Sequence, residues 1–268
     1  MLKKCLTIAG SDSSGGAGIQ ADLKTFSALG TYGMSCIGAL TAQNTKEVSM
    51  VENISQVMIT AQLRAIYDDI VPDAVKTGML STAETVDTVS TFLETLHPSN
   101  LVVDPVMVAT SGARLLDEDA VHLYRTKLIP LASVVTPNVP EAEVLAGMKV
   151  QTKEDMKQAA LKIMEIGPKA VLIKGGHAVQ TATDVLYNGY EFIVYEEKKI
   201  ETKNTHGTGC TLSSAIAALL AQNYSLEEAV QQAKSYLTGA IKAAALHSPG
   251  HGYGPVSHFW FYKNPWRK

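Results

Sequence analysis

Three cysteines in 268 residues, at positions 5, 36 and 210, are too few and too scattered for a disulfide framework, and they suit a reducing compartment. No CxxC, HExxH or paired Cys/His spacing is present, which argues against a structural zinc site. No stretch approaches the roughly 20 apolar residues that a membrane span requires. The apolar run near the N-terminus stops at Gly10, too early for a signal peptide, and reads instead as a first strand. There is no basic block, and a net charge of −3 with a pI near 6.2 disfavours nucleic acid as a partner. The chain has no Gly-Lys dipeptide, so the Walker A loop is absent, and protein-kinase signatures are missing as well. No linker, repeat or low-complexity segment divides the chain. The expectation is a cytoplasmic globular protein with one domain over residues 1–268, its core drawn from a composition that is 46% hydrophobic.

What the chain does have is alternation. Leu6–Ala9, Cys36–Thr41, Ala74–Thr77, Leu101–Val103, Ser133–Thr136 and Ala170–Ile173 read as strands covered on both faces. Between them, Ile19–Leu29, Gln56–Ile70, Thr82–Leu96, Glu118–Ile129, Glu141–Leu145 and Lys153–Ile166 read as helices. Start signals fall at Ser81/Glu84, Thr152/Asp155 and Ser225/Glu228. Asp184–Tyr187 and Phe192–Glu196, joined through Asn188-Gly189, predict a hairpin, and two helices near 208–222 and 226–246 close the chain. The pattern predicts an α/β fold with a mostly parallel sheet between helical layers. Chemistry in such sheets gathers at the carboxyl ends of the strands. The polar residues there are Ser11-Asp12, Gln43-Asn44, Lys76-Thr77-Gly78, Asp104, Asn138 and Lys174.

The most informative of these segments is Asn204-Thr205-His206-Gly207-Thr208-Gly209-Cys210-Thr211, which opens an apolar helix. Glycines allow close backbone approach to a ligand, and the first N–H groups of a helix are unpaired at the positive end of its dipole. This is an anion site suited to phosphate. A thiol on that turn is expected to ionise more readily than a free cysteine, although a free cysteine is commonly a small buried hydrophobe. The N-terminal loop Gly10-Ser11-Asp12-Ser13-Ser14-Gly15-Gly16-Ala17-Gly18 contains Gly16-x-Gly18-x-x-Ala21, a dinucleotide pattern. Its second strand ends in Thr41-Ala42-Gln43-Asn44 without the ribose-binding carboxylate, so a loop enclosing a substrate is the better reading. Asp22 can serve the helix dipole or a polar heteroaromatic ligand. Asp104 can start a turn before Pro105 or stand beside a metal and phosphate. Glu141 can be an ordinary helix-start residue. Together with Asp104 and Lys174 it supplies the parts for Mg-nucleotide binding. Met79 and Met107 can line a pocket or fill the core, and only His206 among the histidines lies beside a candidate site.

These motifs together resemble the ribokinase-like superfamily, and within it the hydroxymethylpyrimidine/phosphomethylpyrimidine kinases of thiamine biosynthesis. The resemblance rests on Ala9–Asp22, Thr41-Ala42-Gln43-Asn44-Thr45, Lys76-Thr77-Gly78-Met79-Leu80, Val103-Asp104-Pro105-Val106-Met107, Thr136-Pro137-Asn138 with Glu141, Ile173-Lys174-Gly175-Gly176-His177 and the Gly-Thr-Gly-Cys turn. It implies a ribokinase-like three-layer α/β/α sandwich. It also implies ATP-dependent phosphorylation of 4-amino-5-hydroxymethyl-2-methylpyrimidine and then of its monophosphate. Under that resemblance Asp22 and Gln43 would hydrogen-bond the aminopyrimidine, Gly10 and Val106 would lend backbone contacts, and Met79 would pack on the ring. Gly207, Thr208 and Gly209 would form the anion hole with Cys210 beside them. Lys174, Asn138, Thr205 and His206 would meet the nucleotide, and Asp104 and Glu141 would hold Mg²⁺, partly through water. A homodimer and a monovalent cation complete the expectations. The superfamily ends its anion hole with a catalytic Asp where this chain has Cys210. Either the thiol accepts the alcohol proton late, or it is a neutral replacement that spares a phosphorylated acceptor from repulsion. A pyridoxal kinase of the same branch is the nearest rival. A dinucleotide oxidoreductase lacks its ribose carboxylate, and a non-catalytic pyrimidine binder would not need Lys174, Asp104 and Glu141. The aromatic segment Phe259–Trp266 fits no motif.

Overall fold

A computed structural model of the chain describes residues 1–107, 118–175, 181–245 and 248–262. Gly176, His177, His247 and the end of the aromatic tail lie outside these residues. Nine strands among the described residues form one sheet: β1 (Lys4–Gly10), β2 (Tyr32–Gln43), β3 (Val48–Asn53), β4 (Ala74–Thr77), β5 (Leu101–Val103), β6 (Val134–Val135), β7 (Val171–Gly175), β8 (Thr181–Tyr187) and β9 (Phe192–Lys198). Their order is β3-β2-β1-β4-β5-β6-β7-β8-β9. The six strands from β2 to β7 in that order are parallel; β3 at one edge and β8–β9 at the other are antiparallel.

The helices are α1 (Gly18–Ala28), α2 (Gln56–Tyr67), α3 (Ala83–Leu96), α4 (Glu118–Leu123), α5 (Val139–Ala146), α6 (Lys153–Met164), α7 (Thr208–Ala221) and α8 (Leu226–Ala244). One core joins Leu6, Ile8, Val75, Leu101, Val103 and Ile173 to residues of α2, α3, α5 and α6, among them Leu63, Val89, Ala142 and Ile163. The other joins Cys5, Ala74, Val102, Val134 and Leu172 to Phe26 of α1 and to α7 and α8. This is a three-layer α/β/α sandwich. Side chains alternate between the faces of a strand, so Thr7, Lys76, Asp104, Thr136 and Lys174 share the parity of the second core. A polar row therefore crosses the sheet beneath α1 and α7. From Thr211 to Ala221 every residue of α7 is buried, and its two serines, Ser213 and Ser214, turn their hydroxyls onto Asp104 and Asp22.

The capping boxes at Thr152/Asp155 and Ser225/Glu228 form as the pattern predicts. The signal at Ser81/Glu84 is displaced by one residue, because Thr82 caps α3 by accepting the Thr85 N–H. Strand β3 has no counterpart in the sequence reading, since it is solvated on both faces and carries no burial period.

Candidate active site

Two glycine loops meet at the carboxyl end of β1. In the first, the Asp12 carboxylate accepts hydrogen bonds from the N–H groups of Ser14 (2.8 Å), Gly16 (3.0 Å) and Ala17 (2.7 Å) and from the Ser14 hydroxyl. It also lies 2.8 Å from His206 Nε2 in the second loop. Burial would raise the Asp12 pKa, but the bonds from His206 and Ser14 outweigh it and bring it down to about 2. Gly207, the N-cap of α7, has φ = 77°, and a Cβ there would overlap the Gly16 carbonyl oxygen. The second loop is thus packed directly on the first. Gly207→Ala is expected to lose about 3 kcal/mol from strain and overlap together, read as a drop in the urea midpoint at constant slope.

Beyond Gly207, the N–H groups of Gly209 and Cys210 lie in the first turn of α7, where no intrahelical acceptor exists. Thr208 N–H donates to the Thr205 carbonyl at 3.3 Å. The ammonium of Lys174 is held against this turn, 3.4 Å from where a Cβ on Gly209 would stand. It donates to Asp104 Oδ1 at 2.8 Å. Asp104 further accepts from Ser213 (3.0 Å) and Thr136 (3.3 Å). For Lys174, burial opposes the charge, yet Asp104 and Glu141 raise its pKa; for Asp104, burial opposes ionisation, and Lys174 and Lys76 lower the pKa. Asn138 and Glu141 form a reciprocal cap on α5: Asn138 Oδ1 accepts the Glu141 N–H, and Glu141 Oε2 accepts the Asn138 N–H. Asn138 also bridges to Lys174 in the sheet. Burial pushes the Glu141 carboxyl up to about 7, with Lys174 pulling it down and Asp104 pushing it up. Glu141 is thus a helix-start residue and, at the same time, a carboxylate that feels the Lys174–Asp104 pair.

Three expectations need correction. Asp22 does not face the cleft. It is wholly buried, and its carboxylate accepts from Lys76 (2.9 and 3.0 Å), Thr7 (2.6 Å) and Ser214 (2.7 Å), which leaves no room for a ligand. The Cys210 thiol is not activated. Burial dominates the influence of Lys76, and with Asp22 and Asp104 adding to it the pKa rises to about 11. The helix dipole is outweighed by the desolvation of a half-buried thiolate that stands near two carboxylates. Cys5 and Cys36 are likewise pushed up to about 12. Alkylation of Cys210 by iodoacetamide at pH 7.5 is expected to be about 100-fold slower than that of a free cysteine, followed by mass spectrometry of the tryptic peptide. His206, expected on the nucleotide side, sits instead between Asp12 and Gln43, with its ring against Gly16.

Gln43 ends β2 and, with His206 and Tyr253, lines a small pocket. The Met79 methyl lies against Gly10, whose N–H donates to the Met79 carbonyl at 3.2 Å. Val106 is half-buried on the turn after Asp104. Sequence reasoning missed Asp12 as the hub of its loop and Lys76 as the partner of Asp22. An available signal was a lysine inside the four-residue apolar strand Ala74–Thr77, on the parity of Thr7.

The family model described as Phosphomethylpyrimidine kinase matches residues 12–257. The hydroxymethylpyrimidine/phosphomethylpyrimidine kinase of Rhizobium meliloti is 52% identical over 97% of this chain and 98% of its own length. The thiamine biosynthesis bifunctional protein ThiED of Geobacter sulfurreducens is 49% identical over 94% of this chain, which spans only 51% of that protein. The crystal structure of phosphomethylpyrimidine kinase from Clostridium difficile 630 is 50% identical, covers 89% of this chain and 99% of its own, and superimposes with a TM-score of 0.81. The pyridoxal kinase of Staphylococcus aureus in complex with AMP-PCP and pyridoxal is 39% identical, covers 97% and 95%, and gives 0.89. With a ribokinase-like fold and this likeness over nearly its whole length, the chain belongs to the phosphomethylpyrimidine kinase family.

Proposed function

We propose that the chain transfers the γ-phosphoryl group of ATP to the hydroxymethyl group of 4-amino-5-hydroxymethyl-2-methylpyrimidine, and then a second phosphoryl group to the resulting monophosphate. The observation that carries this reading is the meeting of the Lys174 ammonium with the unpaired N–H groups that open α7. Two sources of positive charge there face one small volume, as the spread charge of a transferring phosphoryl group requires. Asp104 and Glu141 beside them are hard oxygen donors, the set that suits Mg²⁺ when several of its positions are filled by water and phosphate. Mg²⁺ bound there would neutralise charge on the ATP phosphates. Gly209 and Cys210 would hold the transferring group by backbone donation, and Lys174 would follow it. Gln43 and Met79 would orient the pyrimidine. A cytoplasmic setting is supported by three unpaired cysteines.

The neutral Cys210 thiol favours one of the two roles considered for it. A loose transition state demands little removal of the alcohol proton before transfer. In the second step the acceptor is a phosphate monoester, with a second pKa near 6, and is largely anionic already. A carboxylate at position 210 would repel it. Cys210→Asp is expected to slow the second phosphorylation by about tenfold relative to the first, since two like charges near 4 Å at a partly screened site cost a few kcal/mol at most; equal slowing of both steps would remove the charge explanation.

ADP release with ATP and Mg²⁺, measured side by side on the pyrimidine, its monophosphate and pyridoxal, tests the assignment. Turnover of the first two supports it. Turnover of pyridoxal alone would replace it with the pyridoxal kinase reading, which the likeness to the Staphylococcus aureus structure keeps in view.

A further inference from the structure

The contact between His206 and Gln43 sets a problem of proton counting. His206 Nε2 lies 2.8 Å from Asp12 Oδ2 and 3.4 Å from Gln43 Nε2. On its other side, the Thr41 hydroxyl lies 2.8 Å from the Ser11 carbonyl oxygen and 3.2 Å from Gln43 Oε1. Asp12 is tied by four other donors and is an ionised acceptor, so Nε2 must carry a proton and donate it. An N–H on His206 cannot then receive the Gln43 amide N–H. Thr41 has one hydroxyl proton, and the Ser11 carbonyl takes it at the shorter distance. An amide turned by 180° about its last torsion resolves both conflicts. Its oxygen then shares the His206 Nε2–H with Asp12, as the longer branch at 3.4 Å, and its nitrogen donates to the Thr41 oxygen.

We infer that Asp12 and His206 are positioning residues that lock the orientation of the Gln43 amide and so set which ring edge the site accepts. This rests on the pyrimidine reading above. The locked amide keeps one lone pair on Oε1 and one N–H on Nε2 for the ligand, in a fixed left-to-right order. An exocyclic amino group beside an unprotonated ring nitrogen matches that order: its N–H meets Oε1, and the ring nitrogen meets Nε2–H. The 4-oxo analogue carries a carbonyl beside a ring N–H, the reverse order, and meets the lock with donor facing donor and acceptor facing acceptor. A free amide would simply flip to suit either ligand. Buried polar groups left unpaired are what make such a site reject an analogue strongly.

His206→Phe keeps a flat ring against Gly16 but removes the N–H, and Asp12 retains its four remaining donors, so the loop is expected to stand. His206→Gln can donate to Asp12 and Gln43 again. The affinities of the 4-amino pyrimidine and its 4-oxo analogue are measured by calorimetry on all three proteins, with kcat/KM for phosphorylation in parallel. The natural chain is expected to prefer the amino compound by about 100-fold or more, well within what hydrogen-bond mismatch supplies. The preference is expected to fall below about tenfold in His206→Phe and to recover in His206→Gln. A merely structural role would weaken both ligands alike and leave their ratio unchanged, and that result would overturn the inference. So would a natural chain that binds both equally. Binding without turnover would sink the kinase reading and leave the ratio to decide the lock separately.

Discussion

Lys174→Met is expected to lower kcat for ADP release about 10³-fold, the scale seen when a preorganised charge or donor is removed from a phosphoryl- or acyl-transfer site. Two effects are mixed in that variant. One is loss of the ammonium that would follow the phosphoryl group. The other is structural, because Asp104 is 1% exposed and Lys174 is its ion-pair partner. Leaving a buried carboxylate uncompensated costs about 3–5 kcal/mol. A second variant isolates the structural part. Lys174→Met combined with Asp104→Asn removes both charges while keeping hydrogen-bonding groups for Ser213 and Thr136. Its urea midpoint is expected to return toward that of the natural chain, while its activity stays low. A double variant that regains turnover would show that Lys174 serves the fold alone.

The second large effect concerns the pair that sequence reasoning misplaced. Lys76 and Asp22 are both wholly excluded from solvent, with Nζ 2.9 Å from Oδ2. Burial alone would push the lysine pKa down, but Asp22 outweighs it and holds the ammonium charged above its ordinary value. Lys76→Met is expected to lose about 3–5 kcal/mol, a large part of the 5–15 kcal/mol by which domains are stable. Asp22→Asn added to it is expected to recover more than half of that loss, since the amide oxygen can accept from one of the Thr7 and Ser214 hydroxyls while the amide nitrogen donates to the other. Denaturant unfolding of the single and double variants gives the coupling directly. Additive losses would mean that the pair is not the source of the penalty. The sign with pH follows from the shift: a raised folded pKa stabilises below the unfolded value near 10.5, and this contribution fades only as pH climbs through the folded value. Acid titration therefore leaves the lysine side of this pair untouched.

The sheet was legible because its strands are short, apolar and separated by helices of ordinary length. Ala74–Thr77 and Leu101–Val103 fall on the strands residue for residue. The edge strand Val48–Asn53 was not, because nothing buries it on either face. At the site, Lys174, Asp104 and the Gly207–Gly209 turn converge as expected from their places at strand and helix ends. The errors share a cause. Distance along a helix from its positive end does not decide the state of Asp22 or Cys210, because their environment is set by residues far away in sequence. Lys76 is 54 positions from Asp22, and Ser214 is 192 from it. Desolvation is a property of three-dimensional enclosure, and a linear pattern does not carry it. The two-residue alternation does carry part of it: Thr7, Lys76, Asp104, Thr136 and Lys174 are all on one parity relative to Cys5, Ala74, Val102, Val134 and Leu172. The row beneath α7 was in the sequence as a phase, not as a motif.

The seating of Gly207 on the Gly16 carbonyl has a consequence for descent as well as for stability. The two loops come from opposite ends of the chain, yet neither can gain a side chain or shift its backbone without the other giving way. Chimeras between members of the family that cross over between them would unite halves from different parents at their tightest joint. Such hybrids should survive selection only when both parents carry the same backbone course in both loops, so the two ends of the gene behave as one heritable unit.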